Sequence, residues 1–456
     1  MNKETHEGIY DVKQLGAGKT IALGLQHMFA MFGSTVLVPL LTGLDVSTTL
    51  LFAGLGTLLF HLLTKGKVPA FLGSSFAFLG GYFAIAPMLE DGSSNIEMIP
   101  YACFGVACAG LLYLILAGLI KLFSAGKIMK FFPPIVTGPI IIAIGLTLSQ
   151  SAIDSCSSNW IVALVAIVVV ILCNIFGKGM IKIIPILIGV IASYIAGICL
   201  GEVDFSSIAS ASWIGFPINR DATVLALFDN FDASKLITAI ITIMPIALAT
   251  IVEHIGDISA ISSTTGRNYI KDPGLHRTLL GDGLATIVAS LFGAPANTTY
   301  GENTGVLNLS KVYDPFVVRL AACFAVFFSF CPKFSAVIQA MPTATVGGIS
   351  LVLYGMISAV GVRNVVENQV DFAKSRNVII AALILVLSIG INYSAAGAIA
   401  FQIGKITISL SGLAVGALTG IILNAILPGK DYTFDEEIPS DTGVNFQIGD
   451  RQKEAK

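Results

Sequence analysis

Along the chain, long uncharged runs alternate with short polar breaks. Runs that read as spans fall at 20–44, 46–64, 68–89, 98–120, 131–153, 155–177 and 183–201. A membrane-crossing helix needs about 20 such residues. The segment 202–235 is polar and holds Glu202, Asp204, Arg220, Asp221, Asp229 and Asp232. Apolar runs then resume near 236–262, 276–293, 302–312, 315–332, 340–362, 377–395 and 408–428. This pattern predicts an all-α polytopic membrane protein of fourteen transmembrane segments.

One stretch does not fit a simple span. Asn297-Thr298-Thr299-Tyr300-Gly301-Glu302-Asn303-Thr304-Gly305 is polar and lies between apolar runs. It has a counterpart in the first half, Gly73-Ser74-Ser75-Phe76-Ala77, with the same order of small-or-amide, hydroxyl, hydroxyl, aromatic, small. A second match pairs Phe132-Pro133-Pro134-Ile135-Val136-Thr137-Gly138-Pro139-Ile140 with Met341-Pro342-Thr343-Ala344-Thr345-Val346-Gly347-Gly348-Ile349. The first copies fall in spans 3 and 5 and the second in spans 10 and 12. Seven spans per copy is an odd number, so the halves are expected to insert upside down relative to each other. Inverted repeats of this kind place substrate where two interrupted spans meet. Segments 68–76 and 293–301 carry Pro and Gly and predict extended backbone, each followed by a short helix.

Composition supports the membrane reading. The chain is 55% hydrophobic and 12% charged, with a mean hydropathy of +0.85. Soluble domains carry about 25% charged residues. The net charge of −2 gives no reason to expect nucleic acid. The N-terminus, 1–19, has no signal-peptide core, so the first span serves as the insertion signal. With fourteen spans and both termini cytoplasmic, all Lys and Arg fall inside except Arg220, Lys235, Lys333 and Lys405. That bias is the positive-inside pattern of a multi-pass cell-membrane protein. The tail 429–456 is polar and read as cytoplasmic.

Within the spans, Glu253, Asp257 and Glu302 are the most deeply set acids. A charge at the bilayer centre costs about 2.5–3.5 kcal/mol or more, which makes such residues functional candidates. Glu253 and Asp257 are four apart and share a helix face. Carboxylates there can accept N–H groups and carry a proton. Backbone N–H groups at the two interrupted helix starts can donate to carbonyl oxygens. Phe76 and Tyr300 add aromatic faces or edges. A flat ring with alternating N–H and C=O, such as a nucleobase, satisfies this set.

From Gln26 to about residue 428 the chain resembles the nucleobase–ascorbate transporter family of nucleobase:cation symporters. The motifs that carry the likeness begin with Gln26-His27-Met28-Phe29-Ala30-Met31-Phe32-Gly33 and Pro69-Ala70-Phe71-Leu72-Gly73-Ser74-Ser75-Phe76-Ala77-Phe78. They continue with Glu253-His254-Ile255-Gly256, Asp272-Pro273-Gly274-Leu275-His276-Arg277 and Asn297 to Gly305. Glu302-Asn303-Thr304-Gly305 followed by Ser310-Lys311 fits the family signature, with Ser310 where that signature has Thr.

The resemblance implies a core domain of spans 1–4 (20–130) and 8–11 (236–335). The gate domain is spans 5–7 (131–201) and 12–14 (336–428), and 202–235 is an extracellular linker. Substrate lies between core and gate. Substrate-binding residues would be Phe76, Glu253, Tyr300, Gly301 and Glu302, with proton coupling through Glu253 and Asp257. His27, Ser75, Asn297, Thr299 and Asn303 would support them. The implied activity is proton-coupled import of uracil by alternating access, in a homodimer joined through the gates. A proton- or sodium-coupled permease for xanthine or uric acid is the alternative. Glu302 favours uracil, because purine-type relatives often have Gln there. Asp257 departs from several uracil-type relatives, which have His.

Other signals are weaker. Gly16-Ala17-Gly18-Lys19-Thr20 echoes a phosphate loop but has Lys13 where its first Gly belongs. The spacing of His residues suggests no zinc site, and no metal or cofactor is called for. Cys103, Cys108, Cys156, Cys173, Cys199, Cys323 and Cys331 read as small buried hydrophobes. His254 points away from Glu253 and reads as structural, while His61 and His276 read as interfacial or solvated. Asp282 and Arg319 lie near predicted span ends. An anion transporter of similar fold would put Arg or Lys at the broken spans, and an embedded hydrolase would need a nucleophile–base pair; neither is seen.

Overall fold

The computed structural model describes residues 8–89, 92–229, 231–403, 406–430 and 432. It is mostly helical. The first half comprises α1 (Ala17–Thr42), α2 (Val46–Leu63), β1 (Leu72–Ser74), α3 (Leu79–Ile85), α4 (Ile99–Phe123), α5 (Pro134–Ser157), α6 (Trp160–Phe176) and α7 (Pro185–Cys199). The second half comprises α8 (Ala233–Thr265), α9 (Leu275–Leu291), β2 (Asn297–Thr299), α10 (Gly301–Ser310), α11 (Pro315–Ser329), α12 (Thr343–Glu367), α13 (Ser375–Asn392), β3 (Ala398–Ile403), β4 (Ile406–Ser411) and α14 (Gly412–Ile426). Among the described residues, seven helices are long and apolar enough to cross a membrane, or eight if α11 and the bent Pro332–Gln339 helix count as one.

Helix limits follow local chemistry. The side chains of Asp45, Asn159 and Asp314 cap α2, α6 and α11 by accepting backbone N–H groups in the first turn. Pro185 and Pro315 open α7 and α11, where a missing N–H costs nothing. Gly43 and Gly266 end α1 and α8 in the left-handed conformation.

The short strands need a different explanation, because extended backbone inside a membrane must find partners. β1 and β2 pair antiparallel, with Leu72 opposite Thr299, Gly73 opposite Thr298 and Ser74 opposite Asn297. Side chains from neighbouring helices take up the remaining groups. Thr57 Oγ1 accepts from Leu72 N at 2.9 Å, and His61 Nε2 sits 2.9 Å from Ala70 O. Thr286 Oγ1 donates to Asn297 O at 2.8 Å. His61 is therefore buried and bonded, in contrast to the solvated or interfacial position its place near a span end suggests; the carbonyl it meets belongs to the non-helical backbone just before β1.

Helices pack around this pair. α2 lies against α11 and α4 against α9, while α12 lies against α5, α6 and α7, and α13 against α14. Glycines let the helices approach closely. A Cβ on Gly110 would come within 2.9 Å of Gly283 O, and one on Gly361 within 2.7 Å of Gly138 O. Without a hydrophobic drive between helices in lipid, such close packing is a main source of association.

The last apolar run and the acid of α9 take particular forms. Ala398–Ile403 and Ile406–Ser411 pair antiparallel as β3 and β4, so α14 starts at Gly412 and not at 408. Asp282 is fully buried two turns into α9, where Asp282 Oδ2 lies 3.0 Å from His254 Nδ1. Near a predicted span end, it is a paired group.

Candidate functional site

The β1–β2 ladder runs out at two helix starts. Its outermost bonds are Ser75 N to Ala296 O at 2.9 Å and Tyr300 N to Phe71 O at 3.0 Å. The next N–H groups along each strand belong to Phe76 and Gly301. Phe76 opens a short 3₁₀ turn leading into α3, and Gly301 opens α10. The first N–H groups of a helix have no carbonyl within it to bond.

Both starts border a cavity of about 320 Å³. Phe76, Tyr300 and Gly301 line it, and so do Glu253, Gly256, Asp257 and Ala260 of α8. The α8 residues are spaced three and four apart, so they form one face of that helix. The opposite wall is Ile141 of α5 with Leu353, Met356, Ile357, Val360 and Asn364 of α12. One side of the cavity is thus carboxylates and helix starts, and the other is largely apolar.

Several bonds fix the polar side. Thr299 Oγ1 donates to Asp257 Oδ2 at 2.8 Å, tying the strand to α8. Tyr300 Oη donates to Ser74 O at 2.8 Å, so the Tyr300 ring bridges both strands. The Phe76 ring meets Tyr354 edge-on, with centroids 5.8 Å apart. His254, next to Glu253 in sequence, turns away to Asp282.

The expected residues do not all gather here. Phe76, Glu253, Asp257, Thr299, Tyr300 and Gly301 share the cavity wall. Glu302 follows Gly301 in α10, but its side chain lies outside the described residues. Asn297 Nδ2 donates to Phe52 O of α2 at 3.0 Å, behind the strand pair. Asn303 Nδ2 donates to His27 O at 3.1 Å and lies 3.2 Å from His27 Nδ1, joining α10 to α1. Ser75 contributes its N–H to the ladder, and its side chain is buried. These four brace the strands and α10 from behind.

The wall from α5 and α12 was not expected from the sequence. Tyr354 and Asn364 are buried on α12, and Thr137 Oγ1 of α5 donates to Asn364 Oδ1 at 3.3 Å. Thr137 sits within an otherwise apolar span, which was the available signal; Asn364 follows Arg363 just past the 340–362 run and offered none. Among the described residues no cluster of His, Cys, Asp and Glu fits a metal ion.

Comparison with known proteins fits this geometry. A model described as "Permease family" matches residues 18–397. The chain is 40% identical over 422 residues to the uracil permease of Bacillus caldolyticus, covering 91% of this chain and 93% of that protein. It is 35% identical over 437 residues to the uracil permease of Escherichia coli strain K12, covering 93% and 94%. Among solved structures, the transmembrane domain of a cyanobacterium bicarbonate transporter, BicA, has a TM-score of 0.56 at 15% identity, covering 82% of this chain and 96% of that one. Murine Solute Carrier 26 family member A9, an anion transporter, has a TM-score of 0.61 at 11% identity, covering 91% and 69%. At those identities the structural likeness speaks for the fold alone. The match over most of the chain and the close curated relatives establish that this multi-pass membrane protein belongs to the Permease family.

Proposed function

We propose that the chain is a uracil permease that couples import of uracil to protons by alternating access. The observation that carries the reading is the convergence of two helix starts, at Phe76 and Gly301, on the cavity face that holds Glu253 and Asp257. Uracil offers two carbonyl oxygens and two ring N–H groups. The N–H groups of Phe76 and Gly301 suit the carbonyls. Glu253 and Glu302 suit the ring N–H groups, and the Phe76 and Tyr300 rings suit its flat faces and edges. The names of the curated relatives support uracil over other flat rings.

Coupling follows from the acids. A charge at this depth is costly, so a cycle in which Glu253 takes up a proton lowers the cost of carrying it across. Asp257, one turn away and bonded to Thr299, is the second member of the relay. In this reading α1–α4 and α8–α11 form the core and move against a gate of α5–α7 and α12–α14. The gate faces join two copies into a homodimer.

The two halves also read as inverted repeats of seven spans. Helix neighbours support this. α4 lies against α9 as α11 lies against α2, α6 against α7 as α13 against α14, and α12 against α6 as α5 against α13. Each pair maps on its mate by adding or subtracting seven. Binding of labelled uracil to purified protein tests the site. Glu253→Gln removes a charged acceptor, and hydrogen bonds to charged groups contribute about 1.5–3 kcal/mol, so affinity falls by roughly 10- to 100-fold. Unaltered binding by the folded variant would sink the assignment.

A further inference from the structure

The segment 202–235 is polar as a whole, yet between Asp204 and Arg220 it holds no charge. The middle of that uncharged stretch is Trp213-Ile214-Gly215-Phe216. Its large side chains do not turn inward. Trp213, Ile214 and Phe216 are 73%, 84% and 76% exposed. Three neighbouring apolar side chains left open in this way make a patch, and such patches mark contact surfaces.

Backbone bonds hold the patch in one place. Gly215 N donates to Phe330 O at 3.1 Å, and Lys333 N donates to Ser212 O at 2.9 Å. Lys333 Nζ donates to Ile208 O at 3.0 Å and lies 5.3 Å from the centre of the Trp213 ring. A Cβ on Gly215 would come 2.5 Å from Pro332 Cγ, so the backbone lies flush on the turn after α11. The three side chains are thus fixed at the Ser329 end of α11.

That end falls short of a full crossing. α11 has 15 residues, which rise roughly 22 Å, against a hydrocarbon thickness of about 30 Å. Its other end follows Lys311 and Asp314, the charged side of the span. Past Ser329 the chain bends by 88° into Pro332–Gln339. Roughly 8 Å of hydrocarbon is left beyond α11. Phe327 and Phe330, at the short end, are themselves exposed. The patch bonded to Phe330 continues this apolar surface to the level where acyl chains give way to headgroups. Trp is favoured at that level, because its ring is apolar and its N–H reaches polar groups. Lys333 suits it equally, with an apolar stem and a charged tip.

We propose that residues 211–216 are an interfacial anchor whose partner is the lipid bilayer. Trp213, Ile214 and Phe216 lie among the upper acyl chains beside α11, and the backbone stays on the turn at Phe330 and Lys333. The segment between α7 and α8 is therefore seated in the membrane surface at this point and not suspended in water.

Trp160 and Trp213 are the two tryptophans of the chain. Trp160→Phe therefore leaves Trp213 as the sole reporter; if that variant fails to fold, subtracting the emission of Trp213→Phe from that of wild type gives the same signal. The full-length protein is reconstituted in vesicles of phosphatidylcholine brominated either near the headgroup end or near the tail end of the acyl chains. Trp213 emission is expected to fall in both, and more in the lipid brominated near the headgroup. Ile214→Glu places a charge in the patch at an exposed position, so it should lessen that loss and shift Trp213 emission to the red, with labelled-uracil binding unchanged. No loss of emission in either brominated lipid would overturn the proposal. Quenching by aqueous acrylamide would then place the patch in water, and protection from acrylamide would place it under protein, such as a second copy of the chain. Stronger quenching by bromine near the tails, or an Ile214→Glu signal identical to that of the parent, would overturn it as well.

Discussion

A single methyl group at Gly301 separates the fold from the site. A Cβ placed there meets only Asp257 Oδ1, at 3.9 Å, which is an ordinary contact. Gly301 is the first residue of α10, where Ala is at least as good a helix former as Gly. Gly301→Ala should therefore fold with unchanged or slightly raised stability. The same methyl narrows the cavity beside the N–H assigned to a uracil carbonyl. Overpacking a fitted site costs about 1–3 kcal/mol. At about 1.4 kcal/mol per tenfold, uracil binding weakens by roughly 5- to 100-fold. Gly73→Ala is the contrast. Its Cβ would lie 2.5 Å from the Tyr300 ring and 2.7 Å from Thr35 Oγ1. The ring is held by its bond to Ser74 O, so this change should lower the melting temperature. Thermal unfolding and equilibrium binding of labelled uracil, measured on both variants, decide the matter. Wild-type affinity in a stable Gly301→Ala protein would refute a ligand subsite at Gly301.

Other consequences follow from particular contacts. Asn297→Ala removes the buried side-chain bond that ties the strand pair to α2, while the Phe52 carbonyl keeps its bond within the helix; a hydrogen bond of this kind contributes about 0.5–1.5 kcal/mol, so the variant should melt earlier in thermal unfolding. Asp257→Asn keeps an oxygen for Thr299 but removes a proton site, so uracil binding should persist while the pH profile of uptake changes; an identical profile would leave Asp257 a purely structural role. For the buried His254–Asp282 pair, His254→Leu alone leaves a carboxylate without its partner, so it should destabilise the protein more than the double replacement His254→Leu, Asp282→Leu. A double-mutant thermal unfolding cycle measures that coupling.

Much of this architecture was legible in the chain, because apolar run length is set by bilayer thickness. The two interruptions were also visible. Pro69, the glycines and the paired hydroxyls before Phe76 and Tyr300 disfavour helix, and the ladder of Leu72–Ser74 with Asn297–Thr299 lies there. What the chain concealed was partner choice. His61 looked like an interfacial residue because its partner, Ala70 O, lies in a different segment, the non-helical backbone before β1. Asn297 sits in the polar stretch, yet its side chain faces Phe52, since a strand turns alternate side chains to opposite faces. The β3–β4 hairpin was readable but unread: Ile406, Ile408 and Leu410 alternate with Thr407, Ser409 and Ser411, a two-residue period inside an apolar run. The α12 wall of the cavity carries mainly apolar residues, which differ in no local way from lipid-facing ones.

The most direct test of proton-coupled uracil import is uptake of labelled uracil into vesicles reconstituted with the purified protein under an imposed pH gradient. Excess unlabelled xanthine or uric acid serves as competitor. The account predicts uptake that accumulates above equilibrium only with the gradient, collapses with a protonophore, resists both purines, and falls to background in Glu253→Gln. Gradient-independent uptake, or displacement by xanthine as complete as that by uracil itself, would contradict it.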